Sequence, residues 1–382
     1  MARLGDLFLH VRNGANIKQG LDNTGYPITR IETISNRTVN RNKMGYAGIT
    51  DVSKYSDYIL QDGDILMSHI NSEIHLGKTA LYEKKDNEII IHGMNLLSLR
   101  PNKDLIDSKY AFYYLSSQAF LRQIPNITKK SVNQASFTVS ALKELDFSVT
   151  TIEEQKKVAN DLDKLNNLIE LRTQQLSKFD KLVKSRFVEM FGDKDYPEDT
   201  LLNLCNIIDY RGKTPEKVEY GLPFITAKNV KMHQMNLEPR EYISKETYDK
   251  VMVRGFPKEG DVLFTTEAPL GNVCRIPHFD TDFYIGQRIV TIQTENLEPI
   301  YLEYALSSDD FKMKYIGKSS GSTVTGIRVR LLEQLTIAVP PIDLQKEFAK
   351  FVEETDKLKL AIQQSLEKLE TLKKALMQQY FG

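Results

Sequence analysis

The chain has 382 residues, 41% of them hydrophobic and 27% charged, and a formal net charge of zero. That length leaves room for two or three domains of soluble globular composition, and the balanced charge argues against a protein that coats nucleic acid indiscriminately, while local basic surfaces that read a specific site stay open. The N-terminus, MARLGDLFLHVRNG, holds no apolar run long enough for a signal peptide, no segment reaches the roughly 20 apolar residues of a membrane span, and Cys205 and Cys274 allow at most one disulfide, so a reducing cytoplasm is the expected compartment.

In chain order, the first half opens with YPITRIETI (26–34), then QDGDILMS (61–68), where Asp after Gly predicts a turn into a strand. HGMNLLSLRP (92–101) reads as a later strand. SKYAFYYLSSQAFLRQI (108–124) has helical spacing, with Tyr113, Tyr114 and Phe120 assigned to the core rather than to base stacking. A polar loop, TKKSVNQAS (128–136), precedes a further strand. A long helix follows, with no Gly or Pro between 153 and 190 and with Phe191-Gly192 at its end.

The second half repeats this order. LPFITAKNV (222–230) answers the first stretch and KEGDVLFT (258–265) the second, at offsets of 196–197. IGQRIVTIQT (285–294), the aromatic helical segment PIYLEYALSSDDFKMKYI (299–316) and the polar loop GKSSGSTVTG (317–326) follow. The closing stretch matches residues 153–192 at an offset of 190: Gln155-Lys156 recurs as Gln345-Lys346 and Phe191-Gly192 as Phe381-Gly382. Two copies make no solenoid; they predict a duplication with pseudo-twofold symmetry.

Steps of four and three from Val158 give a heptad seam: Leu162, Leu165, Ile169, Arg172, Leu176, Phe179, Val183, Arg186 and Met190. Its mate runs from Phe348 to Tyr380, with polar gaps at Thr355, Lys359 and Lys373 and with Leu358 and Leu372 flanking them. Asp343, after Pro340-Pro341, is the expected N-cap, and Gly192 and Gly382 stand at C-cap positions. About 40 residues make a rod of roughly 60 Å, whose apolar stripe needs a partner. The other copy, lying antiparallel, is the expected one.

Catalytic patterns are missing. GKSSGSTVTG lacks the spacing of an NTP-binding loop, no Gly-x-Gly-x-x-Gly occurs, and no Gly-x-Ser-x-Gly elbow occurs. VPPI (339–342) has Val and Ile where an amino-methyltransferase motif carries its acid or amide and its aromatic. Asp64, Glu83 and Lys85 resemble a nuclease carboxylate set, but Asp64 suits a turn better. The six histidines show no metal-ligand spacing. A binding role is therefore the default.

Two variable segments, each ending in a strand, a Pro-Pro-x-x-x-Gln stretch and a long helix closing on Phe-Gly, together resemble the specificity subunit of type I restriction–modification enzymes. The residues that carry the resemblance are VPPIDLQKEFAKFVEETDKLKLAIQQSLEKLETLKKALMQQYFG at the end and VTTIEEQKKVANDLDKL with FVEMFG mid-chain, where Thr150-Thr151 replaces Pro-Pro. The resemblance implies an α+β fold: two pseudo-twofold-related α/β target recognition domains, separated by two long antiparallel helices that form a coiled coil. The domains would span 1–150 and 195–340, the helices 151–194 and 341–382. It implies a non-catalytic DNA reader of a two-part site. Two methyltransferase subunits and restriction subunits would be the protein partners, with S-adenosylmethionine, ATP and Mg in those partners and no cofactor in this chain. Lengthening the helices by one turn, about 5.4 Å, should then shift the unread spacer by one or two base pairs.

Candidate DNA contacts follow from residue type, since lysines and hydroxyls suit phosphates and Asn, Gln and Arg suit base edges. The polar loops offer Lys129, Lys130, Ser131, Asn133 and Gln134, and Lys318, Ser319, Ser320, Ser322, Thr323 and Arg328. The strand-end pair TRIETISNR and TAKNV offers Arg30, Asn36, Arg37, Lys228 and Asn229. Behind the Gly-Asp turns stand Ser68, His69, Asn71, Thr265 and Thr266, and near the start of the second half Tyr210, Arg211, Lys213 and Thr214. Two rival readings stay open. One is a coiled-coil scaffold whose sensor domains bind protein, the other a methyltransferase or nuclease with divergent motifs.

Overall fold

The structure, a computed structural model, describes residues 2–20, 23–34, 37–132, 134–192, 194–210, 215–286, 288–318 and 326–382. The chain divides into two compact units, one of residues 1–173 with 364–382, the other of residues 174–363.

In the first unit, β1 (Phe8–Asn13), β2 (Ile65–Met67), β4 (Thr79–Leu81) and β5 (Leu97–Pro101) form an antiparallel sheet in the order β1-β5-β2-β4. Between β2 and β4 the chain inserts β3 (Ile70–Asn71), which pairs with a later ribbon of β6 (Lys129–Lys130) and β7 (Ala135–Ser136). The second unit repeats the main sheet with β8 (Asn206–Asp209), β9 (Val262–Thr265), β10 (Val273–Arg275) and β11 (Ile289–Gln293), in the matching order β8-β11-β9-β10. The register agrees as well: Ser98 faces Leu66 and Arg12, and Thr291 faces Leu263 and Ile208. The strands after the Gly-Asp turns are central and wholly buried, which accounts for their continuous apolar runs.

Both turns have the chemistry their sequence predicts. Gly63 and Gly260 adopt φ of 90° and 85°, which favour glycine. Asp64 then accepts the backbone N–H of Gln61, and Asp261 that of Lys258, each at 2.8 Å. Asp64 is also clamped by both ends of the Arg100 guanidinium, at 2.8 Å each. It is therefore a structural aspartate engaged with a cation, and Glu83 meets Lys109 at 3.4 Å instead of joining it.

Each unit holds an aromatic helix: α1 (Ser108–Leu115) in the first and α3 (Pro299–Ser307) in the second. Between them in sequence runs the long helix α2 (Ile152–Phe191), and α4 (Ile342–Phe381) closes the chain. Asp343 lies in the first turn of α4 rather than at its N-cap, because the helix already begins at Ile342. The start of α2 packs on the end of α4 in the first unit, where Val158 and Leu162 share a core with Phe381, Leu376 and Met377. In the second unit the end of α2 meets the start of α4: Phe187 and Phe191 approach Phe348 at 5.4 and 5.6 Å, Arg186 reaches Glu347 at 3.1 Å, and Lys359 reaches Asp180 at 2.7 Å. The paired segments are antiparallel in both units.

The Phe-Gly endings close the cores symmetrically. Phe381 packs on Tyr110 at 5.3 Å and Phe191 on Tyr301 at 4.9 Å. Those tyrosines donate to the carbonyls of Ser148 and Ala338, at 3.2 and 2.7 Å. Tyr113, Tyr114, Phe120, Tyr301 and Phe311 are buried, and Tyr304 is packed against the second core, as expected of core aromatics.

Candidate nucleic-acid interface

Two of the sequence-predicted segments converge in each half. In the first, β3 pairs with β7, Ile70 facing Ser136 and Asn71 facing Ala135, and β7 pairs with β6. The segment behind the Gly63-Asp64 strand is thereby tied to the polar loop before α2. In the second half Glu267 bridges to Gly326, and the Ile327 N–H donates to the Thr266 carbonyl at 3.0 Å. Sequence separation hid this juxtaposition, which is built the same way twice.

The ribbon turn carries the most accessible candidates. Lys129, Lys130, Ser131 and Gln134 are exposed, and the Ser131 N–H and hydroxyl both donate to the Gln134 carbonyl at 2.8 Å. Lys130 pairs with Glu73 at 2.8 Å, which fastens the ribbon to the loop after β3. In the second half Lys318, at the end of the helix Asp309–Lys318, and Arg328, the N-cap of the helix Val329–Glu333, are exposed. Arg288, which residue type alone did not single out, pairs there with Glu267 at 3.0 Å. Asn36, Asn133, Arg211, Lys213, Thr214, Ser319, Ser320, Ser322 and Thr323 lie outside the described residues.

Several candidates are taken up by the fold instead. Asn229 is 2% exposed; its Oδ1 accepts the Thr226 N–H at 2.9 Å and its Nδ2 donates to the Asn236 carbonyl at 2.9 Å, so the amide holds a turn. Thr265 is fully buried and its hydroxyl accepts the Asn272 N–H at 2.8 Å. Thr266 and Ser68 are buried; the Thr266 carbonyl accepts the Ile327 N–H, and the Ser68 N–H donates to the Lys78 carbonyl at 2.9 Å. His69 is buried against Phe137, 6.3 Å between ring centroids, and burial pulls its imidazole down to about 4. Tyr210 is buried and donates to the Gly255 carbonyl. These side chains are buried and, where bonded, engaged within the fold. Asn71 is half-buried, its Oδ1 accepting the Ser72 N–H at 2.7 Å.

Arg30 and Lys228 are exposed, Arg30 lying 3.9 Å from Glu32. Arg37 is exposed with φ of 59°, and its repeat mate His233 has φ of 58°. Arg37 donates to the Ser116 carbonyl at the end of α1 (3.5 Å), while the His233 Nδ1 lies 2.9 Å from the buried Glu303 of α3. These equivalent left-handed turns both engage the aromatic helix.

No helix among the described residues is long and apolar enough to cross a membrane. A family model described as the type I restriction modification DNA specificity domain matches the chain twice, over residues 1–179 and 194–373. A Methanocaldococcus jannaschii protein provisionally named as the type I restriction enzyme MjaX specificity subunit is 33% identical over 398 residues, covering 98% of this chain and 90% of that protein. The type I restriction enzyme MjaVIII specificity subunit of the same organism is 23% identical over 360 residues, 84% of this chain and 79% of that one. Among solved structures, the type I restriction–modification S subunit from M. genitalium is 16% identical and superimposes with a TM-score of 0.60, covering all of this chain and 95% of that one. A chain from a type I system studied for complex assembly and conformational transition gives 0.57 at 19% identity, covering all of this chain and 96% of that one. The chain belongs to the type I restriction modification DNA specificity family. It is a specificity subunit of a type I restriction–modification system, and its two halves are that family's repeated domain.

Proposed function

We propose that each half reads one part of a split duplex site and that the chain performs no chemistry of its own. The observation that carries this is the doubled construction: Ile70 pairs with Ser136 in one half and Glu267 with Gly326 in the other, so the chain just before each long helix is tied in the same way to the end of an equivalent sheet. Lys129, Lys130, Lys318, Arg288 and Arg328 supply phosphate-seeking charge there. In this reading the paired long helices set the unread spacer and dock two methyltransferase subunits. S-adenosylmethionine, ATP and Mg act in the methyltransferase and restriction partners, and the assembly works in the cytoplasm.

The test is duplex binding as a function of salt. A DNA reader loses affinity log-linearly as salt rises, with a slope set by the phosphates it neutralises. A scaffold whose domains bind protein shows no such affinity, and its absence would overturn the reading. The isolated chain mixed with DNA, S-adenosylmethionine and Mg should transfer no methyl group and cut no strand.

A further inference from the structure

We propose that the β6–β7 ribbon enters the major groove and that Val132 at its tip, with Ile74 beside it, reads thymine methyl groups. This rests on the DNA-reading function above.

The ribbon turn runs Ser131 to Gln134, and Val132 in it is 99% exposed. Turn tips favour Gly, Asn, Asp and Ser, each for a backbone reason. A β-branched aliphatic residue that touches nothing contributes nothing to this turn's stability, so folding does not explain it. Ile74, in the short helical turn Glu73–His75 after β3, is 80% exposed, and Ile70 is also exposed.

The sheet brings these residues to one end. Because Asn71 faces Ala135 and Ile70 faces Ser136, β3 exits at the end where the ribbon turns. The Lys130–Glu73 pair, 2.8 Å, joins the two loops there. Val132 and Ile74, both exposed and branched, thus stand on the two loops at an end that also carries Lys129 and Lys130.

An exposed apolar patch marks a binding surface, and its cationic rim selects a polyanion. The major groove of B-DNA admits a two-stranded β-ribbon, and the only apolar groups its floor presents are thymine C5-methyls. Lys129 and Lys130, three and two residues before Val132, suit that occupant, their charge drawn to phosphates while the valine meets a methyl group.

The experiment uses the full chain with its modification partners and the duplex site that the assembly methylates. Each thymine in the site is replaced in turn by deoxyuridine, which removes only the methyl group, and binding is measured for the wild type, Val132→Ala, Ile74→Ala and the control Leu202→Ala. At one or more positions in one part of the site the wild type should lose about fourfold in affinity, as expected for one buried methyl. Val132→Ala or Ile74→Ala should bind the two bases equally there, and Leu202→Ala should discriminate like the wild type. The inference is overturned if the wild type ignores every replacement, if both variants discriminate as it does, or if one part of the site holds no A·T pair and the replacements that matter all lie in the part read by the second half. Wild-type protein that binds no duplex at all would instead sink the proposed function.

Discussion

The side-chain Oε1 of Gln155 accepts the backbone N–H of Asp107 at 2.8 Å, and 190 residues later Gln345 does the same for Glu298 at 2.9 Å. Asp107 and Glu298 are the N-caps of α1 and α3, so each long helix begins by fastening the aromatic helix of its own unit. Both glutamines are buried. Gln155 also donates to the carbonyls of Thr150 (2.8 Å) and Leu105 (3.2 Å), and Gln345 to that of Pro340 at 2.8 Å. Replacing either by Leu leaves buried backbone groups unpaired, which costs about 2–4 kcal/mol. Gln155→Leu should cost more than Gln345→Leu, since it breaks the larger set. Urea unfolding of the two variants checks both magnitude and order.

The two turn aspartates differ in their partners, and that difference is measurable. Asp64 has Arg100, whereas Asp261 has the neutral Gln293 at 2.6 Å, and burial raises the Asp261 carboxyl above its ordinary value. Asp64→Asn strands a mostly buried guanidinium and should cost about 3–5 kcal/mol. Asp261→Asn removes a charge the site already disfavours, and should cost under about 1.5 kcal/mol. Equal losses in denaturant midpoint would show that the Arg100 pair is not what distinguishes them.

Acid should weaken the first unit above the range where carboxylates titrate. Burial, with Arg12 and Arg100 adding to it, lowers His10 to about 4; burial lowers His69 to about 4 and His92 to about 3. These rings are neutral when folded, while an unfolded histidine takes a proton near pH 6.5. The unfolded chain therefore binds more protons below 6.5, so their stability is intact above that pH and declines as pH falls toward about 4. A single fully buried ring contributes up to about 1.4 kcal/mol per pH unit in that window. Urea midpoints should drop between pH 7 and 5, and His69→Gln should flatten the drop.

Helix length carries the spacer prediction. Each long helix has 40 residues. Inserting one heptad into both preserves the seam and adds about 10.5 Å. Methylated sites should then keep both sequence parts with a spacer longer by about three base pairs. An unchanged spacer removes the helices from that role.

Much of the fold was legible because duplication and periodicity are local signals. The seam from Val158 to Met190 is buried or half-buried at every step, and so is its mate from Phe348 to Tyr380. That includes the polar gaps: Thr355 is buried and Lys359 and Lys373 are half-buried, while Leu358 and Leu372 remain 55% and 48% exposed. Lys359 holds its position through Asp180, a partner from the other helix that periodicity does not reveal.

The site was less legible. Ser68, His69 and Thr266 follow a buried strand directly, and chain that arrives some 60 residues later closes on two of them: the Phe137 N–H donates to the His69 carbonyl and the Ile327 N–H to that of Thr266, while Thr265 ends its strand and is held by Asn272. Polar residue type signals a surface only when nothing folds back over it. Val132 and Ile74 are hidden in the sequence for the converse reason: apolar residue type signals core, and only the fold exposes them.

The central claim is that two equivalent halves each read their own part of one site. The direct measurement is single-molecule sequencing of methylated bases in DNA from cells that carry this chain and a matching modification subunit, before and after residues 1–150 are exchanged for the corresponding segment of another specificity subunit. The account predicts a two-part motif with an unread spacer, in which the exchange alters one part and leaves the other intact. A continuous motif, or one in which both parts change together, would contradict it.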